Sequence, residues 1–460
     1  MRNEVLNNVS TRETQGNIKT KIDFSSGSFK KYLANTSWLF FERFIRLGVS
    51  FVVSILVVRY LGPKNFGLYS YAMSFFALFG AFSTLGLESI VTREIVKNPA
   101  KKDEINGTVF YLRLAGSFTA IVFVAIILFL TGEETYTAIL VIILSASYLF
   151  QSFSVIEYYF RGTVQAKYNA YALSASVVLS STLKIIFILI KASLIYFVFA
   201  VVFEYITLAI GLVMVYRYNK LSILSWKYSG NLAMSLLKDS LPLILSGLVV
   251  LVYMRIDQIM IKHMIDNVSV GYYSAAVRIC EALYFIPVTL CNSIFPAIVN
   301  AKNVSEAFYN NRMQKLYDVL AWLAIGIAVP VTIFSNLIIQ ILFGKEFATA
   351  SPVLTIYIWA GVAVFLGVAS SQYLINENLT KLAFIRSFVG MILNVALNFF
   401  LIPKFGINGA AIATLVSYSI IAFVPSYHKN YKTQLKLMLR SLSFISLVRY
   451  LNNIRLSKKK

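Results

Sequence analysis

The chain of 460 residues is 58% hydrophobic and only 13% charged, and such a composition cannot cover a water-soluble surface. We therefore predict an integral membrane protein. The formal net charge of +22 at pH 7 is explained by membrane topology and by attraction to anionic membrane lipids, so nucleic acid is not expected as a partner.

Twelve apolar runs, each about 20 residues long, are predicted as transmembrane helices. In chain order they cover residues 38–60, 66–89, 109–130, 136–155, 170–190, 194–216, 241–261, 275–299, 319–343, 352–375, 383–402 and 409–427. The chain is accordingly divided into a basic N-terminal tail (1–36), a first six-helix bundle (37–220), a cytoplasmic linker (221–238), a second six-helix bundle (239–428) and a basic C-terminal tail (429–460). The N-terminal tail has no early apolar run, so the first helix itself is expected to direct insertion.

The connections between these segments alternate between basic and nearly uncharged. When the N-terminus is placed in the cytoplasm, about 29 Lys and Arg residues lie on the cytoplasmic side, about 6 lie outside and about 7 lie within helices. Because cytoplasmic loops retain basic residues, both termini are predicted to be cytoplasmic. The stretch from Leu435 to Leu451 is too short and too charged to cross, and it is predicted to be an amphipathic helix lying on anionic lipid.

Two pairs of short matches indicate that the second half of the chain repeats the first. Phe66–Ala72 (FGLYSYA) and Val270–Ala276 (VGYYSAA) share the register Gly-x-Tyr-Ser-x-Ala, and Tyr159–Gly162 aligns with Tyr373–Asn376 in the same order. An even number of predicted helices separates the copies, so both have the same orientation. This repeat predicts two parallel bundles of six helices, with substrate passing between them.

Basic side chains inside the apolar segments are the candidate ligands for an anionic substrate. An ionisable group in the bilayer is costly, so it usually faces an aqueous cavity or a partner. Guanidinium groups bind phosphate oxygens in pairs and stay charged when desolvated. The candidates toward the cytoplasmic side are Arg43, Arg46, Arg113 and Arg386, and those toward the other side are Lys184, Arg255 and Arg278.

Four of these residues have an alternative role. Arg43, Arg113 and Arg386 lie near a predicted interface, where an arginine side chain can extend to the headgroups as an anchor. Arg46 is deeper, and its alternative is an ion pair with Glu42, about one helical turn away.

Three acidic residues inside predicted helices are candidates for ion coupling. Glu204 lies near the middle of the sixth segment, where an unpaired carboxylate is costly and protonation is favoured. Asp257 has Arg255 as an alternative ion-pair partner, and Glu281 lies one turn from Arg278. Glu204 is therefore the preferred coupling group.

Several other chemistries have no support in the sequence. A Gly-x-x-x-x-Gly-Lys-Ser/Thr phosphate loop is absent from the sequence, so nucleotide hydrolysis by that motif is not expected. His263 and His428 are far apart in sequence, and Cys280 and Cys291 lie about three turns apart on one predicted helix. We predict no cofactor, no metal site and no disulfide.

Five sequence blocks occur in a recognisable order. They are Arg59–Tyr69 (RYLGPKNFGLY), Asp257–Ile261 leading to Val270–Ala276, Ile294–Pro296, Leu342–Phe347 and Ile402–Thr414. Arg59–Tyr69 resembles the first-hairpin signature of the bacterial flippases that export O-antigen repeat units, and the other blocks are similar to later parts of the same family. The resemblance covers about residues 32–427 and leaves both tails out.

This resemblance implies the MATE-like fold of the multidrug/oligosaccharidyl-lipid/polysaccharide exporter superfamily, with two V-shaped bundles around a central cavity. It implies a transporter rather than an enzyme. The implied substrate is an oligosaccharide on undecaprenyl pyrophosphate, moved from the cytoplasmic to the periplasmic leaflet of the bacterial inner membrane for assembly of O-antigen, as in lipopolysaccharide biosynthesis, or of another surface polysaccharide. A polysaccharide polymerase and a chain-length regulator are candidate partners.

Two other functions fit the same composition. A multidrug or organic-cation exporter of this fold would bind positive substrates and should carry mostly acidic sites within the membrane, whereas basic ones prevail here. A multi-spanning polysaccharide polymerase typically has a long periplasmic loop, and every outer connection predicted here is short. The sequence therefore favours the flippase.

Overall fold

The computed structural model describes residues 27–377, 379–421 and 431–443, with side chains from residue 44 onward except at positions 296 and 380. Its contacts separate two compact units, Met1–Ile45 and Arg46–Lys460. All contacts discussed below lie within the second unit. Regular structure in the described residues is entirely helical, which confirms the predicted all-α class.

Sixteen α-helices occur in the described part of the chain. They are α1 (Gly27–Thr84), α2 (Glu88–Lys97), α3 (Lys102–Leu130), α4 (Thr135–Ser145), α5 (Ser147–Gln151), α6 (Val155–Gly162), α7 (Lys167–Leu189), α8 (Leu194–Tyr218), α9 (Gly230–Met264), α10 (Asn267–Ala282), α11 (Phe285–Lys302), α12 (Glu306–Ile333), α13 (Ser335–Phe343), α14 (Ser351–Asn376), α15 (Thr380–Ile421) and α16 (Lys432–Leu442). Short 3₁₀ helices cover Pro99–Lys101, Ser152–Ser154, Ile223–Ser225 and Lys345–Ala350.

Ten helical stretches of the described residues are long and apolar enough to cross a membrane. Two of them, Phe44–Lys97 and Lys381–Ile421, are interrupted by a glycine with a left-handed backbone, Gly62 (φ 65°) and Gly406 (φ 58°). Glycine adopts such φ values without the steric conflict that a Cβ atom would add. The predicted multi-pass membrane protein is therefore confirmed, while the total of twelve helices stays a prediction.

The apolar cores show how the two bundles meet. One cluster of buried residues lies in the first bundle and the start of α9 and includes Leu87 and Leu212. A second cluster lies in the second bundle, around Leu320. A third cluster crosses between the bundles and contains both Tyr71 of the first and Val270 of the second. The bundles thus share one apolar core, and each bundle also has an apolar core of its own.

The helical connections define two ends of the molecule. We call the end that holds the turns at Gly62, Gly132, Ala192 and Ile265 the short-loop end, and the end that holds the connections at Asn98, Thr163, Asn219 and Asn303 the basic end. The shared core reaches the short-loop end, through Leu61 and Leu128, whereas the two separate cores reach the basic end, through Ile95 and Ile298. Apart from the start of α9, which packs on the first bundle, the bundles therefore diverge toward the basic end.

The C-terminal helix α16 packs against the basic end of the second bundle. Gln314 of α12 donates a hydrogen bond to the carbonyl oxygen of Leu437 (3.0 Å), and Tyr317 donates to the side chain of Gln434 (3.1 Å). The predicted amphipathic helix is thus present, but protein rather than lipid covers its inner face. Its exposed face carries Lys432, Lys436 and Arg440, while residues 444–451 lie outside the described residues.

Candidate functional site

An open cavity of about 940 Å³ lies at the basic end, between α2, α6 and α9. Its lining includes Arg93, Lys97 and Arg161, with Glu88 as the acidic residue among them. Arg161 pairs with Glu88, and both side chains are exposed. Exposed ion pairs contribute only about 0–1 kcal/mol, so an incoming anion can replace the Glu88 carboxylate at little cost.

A smaller cavity of about 180 Å³ adjoins the first, and Arg113 lies in its wall. Arg113 is 1% exposed. Its guanidinium donates hydrogen bonds to the hydroxyls of Tyr158 (2.7 Å) and Ser154 and to the carbonyl oxygen of Ser83 (3.3 Å). These partners fix the side chain inside the first bundle, so the alternative of a headgroup anchor does not apply to Arg113.

Glu157 is the acidic centre of this smaller cavity. It is 8% exposed, and one oxygen lies 3.6 Å from the guanidinium of Arg161. Arg46 and Arg113 also act on Glu157 electrostatically. Arg46 is partly buried, so three arginines (Arg46, Arg113 and Arg161) interact with this one carboxylate. The side chains of Arg43 and Glu42 lie outside the described residues.

A third cavity lies farther toward the short-loop end, between the two bundles. On the side of the first bundle, the Lys184 ammonium is 3.1 Å from Glu204, which also accepts a hydrogen bond from Ser180 (2.8 Å). On the side of the second bundle, Arg278 lines the same cavity and is exposed. Because no ion pair of Arg278 occurs among the described residues, its charge is available to a ligand.

Glu281 pairs with Arg255 on the neighbouring helix α9, at 3.3 Å. The sequence favours Arg278, one turn away on α10, as the partner of Glu281, and offers Arg255 on α9 as a partner of Asp257. Both alternatives are wrong in the described structure, because tertiary contacts between α9 and α10 bring Arg255 to Glu281. Arg278 is left facing the cavity between the bundles.

Asp257 forms a buried polar centre inside the second bundle. Its carboxylate is 3% exposed and accepts hydrogen bonds from Tyr273 (2.6 Å), Asn398 (2.6 Å) and Thr414 (2.7 Å). Asn398 also donates to the amide oxygen of Asn394 (3.2 Å). The Oδ1 atom of Asn398 and the Nδ2 atom of Asn394 are buried without a hydrogen-bond partner among the described residues. Such a centre can exchange a proton or a small cation.

Arg386 lies inside the second bundle rather than at the cavity between the bundles. It is 8% exposed and donates hydrogen bonds to the hydroxyls of Ser370 (3.1 Å) and Ser371 (2.6 Å). Ser370 in turn contacts the hydroxyl of Tyr431, next to α16 (2.6 Å). The geometry therefore assigns Arg386 to the contact between α14, α15 and the C-terminal helix.

Several residues of these sites were missed in the sequence. Glu157 and Arg161 lie just beyond the end of the fourth predicted segment, and their i,i+4 spacing was a usable signal. Asn394 and Asn398 have the same spacing inside an apolar run, and two amides on one helix face also indicate a buried polar site. A search for charged residues alone was therefore too narrow to identify all the polar residues of these sites.

Two known protein families match nearly the whole membrane region of the chain. The family described as polysaccharide biosynthesis protein matches residues 32–302, which is more than half of the chain. The MatE family matches residues 242–400. The two matches overlap and together cover residues 32–400.

Individual relatives agree with these families. The "probable low-salt glycan biosynthesis flippase Agl15" of Haloferax volcanii is 29% identical over 222 residues, covering 47% of this chain and 44% of that protein. The capsular polysaccharide biosynthesis protein CapF of Staphylococcus aureus is 23% identical over 419 residues, covering 86% of this chain and 98% of that protein.

A solved structure shows the same fold. The lipid II flippase MurJ, in an inward closed conformation, matches with a TM-score of 0.68 at 17% identity, covering 90% of this chain and 92% of that one. At this identity the match concerns the fold alone. The exporter-superfamily fold predicted from the sequence blocks is thereby confirmed.

Proposed function

The chain belongs to the polysaccharide biosynthesis protein family, and we propose that it is a flippase for lipid-linked glycans. The proposed substrate is an oligosaccharide repeat unit on undecaprenyl pyrophosphate, which crosses to the periplasmic leaflet of the bacterial inner membrane for O-antigen or other surface polysaccharide assembly. The basic end, with both termini, then faces the cytoplasm. A polymerase and a chain-length regulator would act on the product.

The observation that carries this proposal is the excess of positive charge lining the cavity at the basic end. Three basic residues and one acidic residue line the cavity at the basic end. A pyrophosphate moved into a low-dielectric setting needs such compensation, and guanidinium groups supply it with paired hydrogen bonds. An organic cation would be repelled by the same lining.

The basic residues form two stations along the pathway. The arginine cluster around Glu157, with Arg46, receives the pyrophosphate from the basic end. Arg278, beside the Lys184–Glu204 pair, forms the second station, nearer the short-loop end. Moving from one station to the other would exchange one set of cations for another.

Ion coupling is assigned to Asp257 rather than to Glu204. Glu204 is paired with Lys184, and Glu281 is paired with Arg255. Asp257 has no basic partner among the described residues, although it is the most buried of the three. Burial favours a bound proton or small cation on a carboxylate that no protein cation neutralises. We therefore propose that Asp257 couples transport to a gradient of one of these ions.

Reconstitution tests the transport function. Proteoliposomes would contain an undecaprenyl-pyrophosphate oligosaccharide with a fluorescent sugar, and its exposure would be followed with an external quencher. Purified protein should accelerate the change in exposure, and Arg278→Ala should slow it at least tenfold, the factor that about 1.4 kcal/mol gives. Arg312→Ala is the matched control, because Arg312 is exposed and lies 4.7 Å from the ring of Phe308, outside the cavities.

Two results would contradict the proposal. One is a lipid-linked oligosaccharide that moves no faster than in protein-free vesicles, while a fluorescent organic cation is transported. The other is equal loss of activity in Arg278→Ala and Arg312→Ala, since that would reflect a general effect of removing surface charge.

A further inference from the structure

A buried charged cluster joins the two bundles at the short-loop end. Glu133, in the turn between α3 and α4, pairs with Lys262 near the end of α9. Their side chains are 5% and 10% exposed. This ion pair connects the first bundle to the second, because the two residues lie 129 positions apart on different bundles.

Two aromatic side chains complete the cluster. Tyr71 of α1 donates a hydrogen bond to Glu133 (2.8 Å), and the ammonium of Lys262 lies 4.0 Å from the centre of the Tyr71 ring. His263 lies 3.4 Å from the Tyr71 hydroxyl and 3.9 Å from the Glu133 carboxylate. Each member thus contacts at least two others across the interface.

Two glycines allow the bundles to approach closely enough for this cluster to form. A Cβ atom on Gly67 would lie 1.7 Å from the carbonyl oxygen of Asn267, and one on Gly271 would lie 2.0 Å from that of Pro63. These glycines occupy equivalent positions in the Gly-x-Tyr-Ser-x-Ala repeat. The contact is therefore reciprocal, with each repeat packing its glycine against the backbone that precedes the other.

We propose that Glu133 and Lys262 form an ionic latch that holds the short-loop end closed and breaks whenever the pathway opens to that side. Separation of the bundles would expose both charges to water, and hydration would replace part of the lost attraction. The latch therefore shifts the balance between closed and open states without preventing opening. The inference rests on the proposed function only where it assigns this motion to transport. The motion itself needs no substrate.

Distance measurements on the full-length protein test the latch directly. Spin labels would be placed at Lys64→Cys in the first bundle and Met264→Cys in the second, both of which are exposed. The native Cys280 and Cys291 are fully buried, and they would be replaced by alanine to exclude labelling. Pulsed electron resonance in lipid nanodiscs then gives the populations of short and long distances without any ligand.

The expected result is a shift toward the long distance in Glu133→Gln and Lys262→Met. The ratio of long to short distances should rise about fivefold when this ion pair is lost. The charge-swapped protein, Glu133→Lys with Lys262→Glu, should return toward the native ratio. Restoration by the swap separates a latch from simple damage to the fold.

A matched swap serves as the control. Lys302 and Glu377 form another Lys–Glu pair, at 2.6 Å, but both belong to the second bundle and lie at the basic end. Exchanging these two residues should leave the Lys64–Met264 distance unchanged. The latch would be refuted if the Glu133 and Lys262 variants kept the native ratio, or if the exchange of Lys302 and Glu377 altered it equally. These distances can be measured whether or not the protein transports a glycan, so failure of the latch and failure of the proposed function are distinguishable.

Discussion

The two ends of the molecule close by different physical means. At the short-loop end the bundles share an apolar core, two glycines bring backbones into contact, and the Glu133–Lys262 pair is buried. At the basic end the cores are separate, and the interbundle pair Arg93–Asp239 has both side chains about half exposed, at 51% and 53%.

This difference indicates which end separates easily. Exposed pairs such as Arg93–Asp239 contribute little, because water competes with each partner. Opening the short-loop end instead requires loss of apolar burial, at roughly 25 cal/mol per Å². The structure therefore favours a state that is open at the basic end, where the charged lining can accept an anionic headgroup. The following predictions test this assignment.

The largest effect on transport is expected at Arg46, toward the basic end of the pathway. Arg46→Ala should nearly abolish glycan transport, because the pyrophosphate loses compensation of about 2–5 kcal/mol in a low-dielectric cavity. Arg46→Lys should restore part of the rate, since the charge remains but the paired hydrogen bonds do not. The fluorescent-sugar assay in proteoliposomes measures both.

A purely structural role of Arg46 predicts a different result. If Arg46 served only to neutralise Glu157, then Glu157→Gln would be as damaging as Arg46→Ala, and the double variant would recover. Recovery of transport in the double variant would assign Arg46 to folding.

A smaller but more specific effect is expected at Asp257, inside the second bundle. Asp257→Asn keeps the shape and most hydrogen bonds but removes the charge that a coupling ion would neutralise. Transport should continue at a reduced rate, and its acceleration by an imposed proton or sodium gradient should disappear. Glu204→Gln should retain that acceleration, because the Glu204 charge is already paired. The opposite pattern would restore Glu204 as the coupling group.

Much of this architecture could be predicted from the sequence, because membrane insertion depends on hydropathy and on the positions of basic residues. The apolar runs gave the helices, and the repeated Gly-x-Tyr-Ser-x-Ala motif marked related positions in both halves. Even so, α9 begins at Gly230 rather than at residue 241, since helices continue beyond the apolar part. The fourth segment is divided into α4, α5 and a short 3₁₀ helix, and α6 continues beyond its predicted end, which hydropathy does not show.

The site was harder to predict, because its key contacts are tertiary. Glu133 and Lys262 are individually unremarkable loop-side charges, and only folding brings them together. Spacing along one helix predicted the wrong partner for Glu281, since Arg255 on another helix is nearer than its neighbour one turn away. The position of Gly67 in the repeat was visible, but its contact with Asn267 was not.

The glycine contact allows a direct test of the closed end. Gly67→Ala should destabilise the closed state by about 1–3 kcal/mol, because its Cβ meets backbone that can move only if the bundles separate. The Lys64–Met264 spin-label distance should lengthen, and thermal unfolding in detergent should occur at a lower temperature. Gly80→Ala, on the same helix with no atom within 4 Å, is the control and should be neutral or slightly stabilising. Equal behaviour of the two variants would argue against a tight crossing at Gly67.

The smallest effect is expected where α16 joins the basic end of the second bundle. Tyr431→Phe removes the hydroxyl that contacts Ser370 (2.6 Å), and a buried hydrogen bond of this kind contributes about 1 kcal/mol. The unfolding midpoint in detergent should fall by about 1–2 °C, because each kcal/mol shifts a large protein only slightly. Tyr171→Phe, at a half-exposed position, is the control and should not change the midpoint. An unchanged midpoint in Tyr431→Phe would mean that the hydrogen bond between Tyr431 and Ser370 does not stabilise this end, and that α16 is held there by its other contacts with the second bundle.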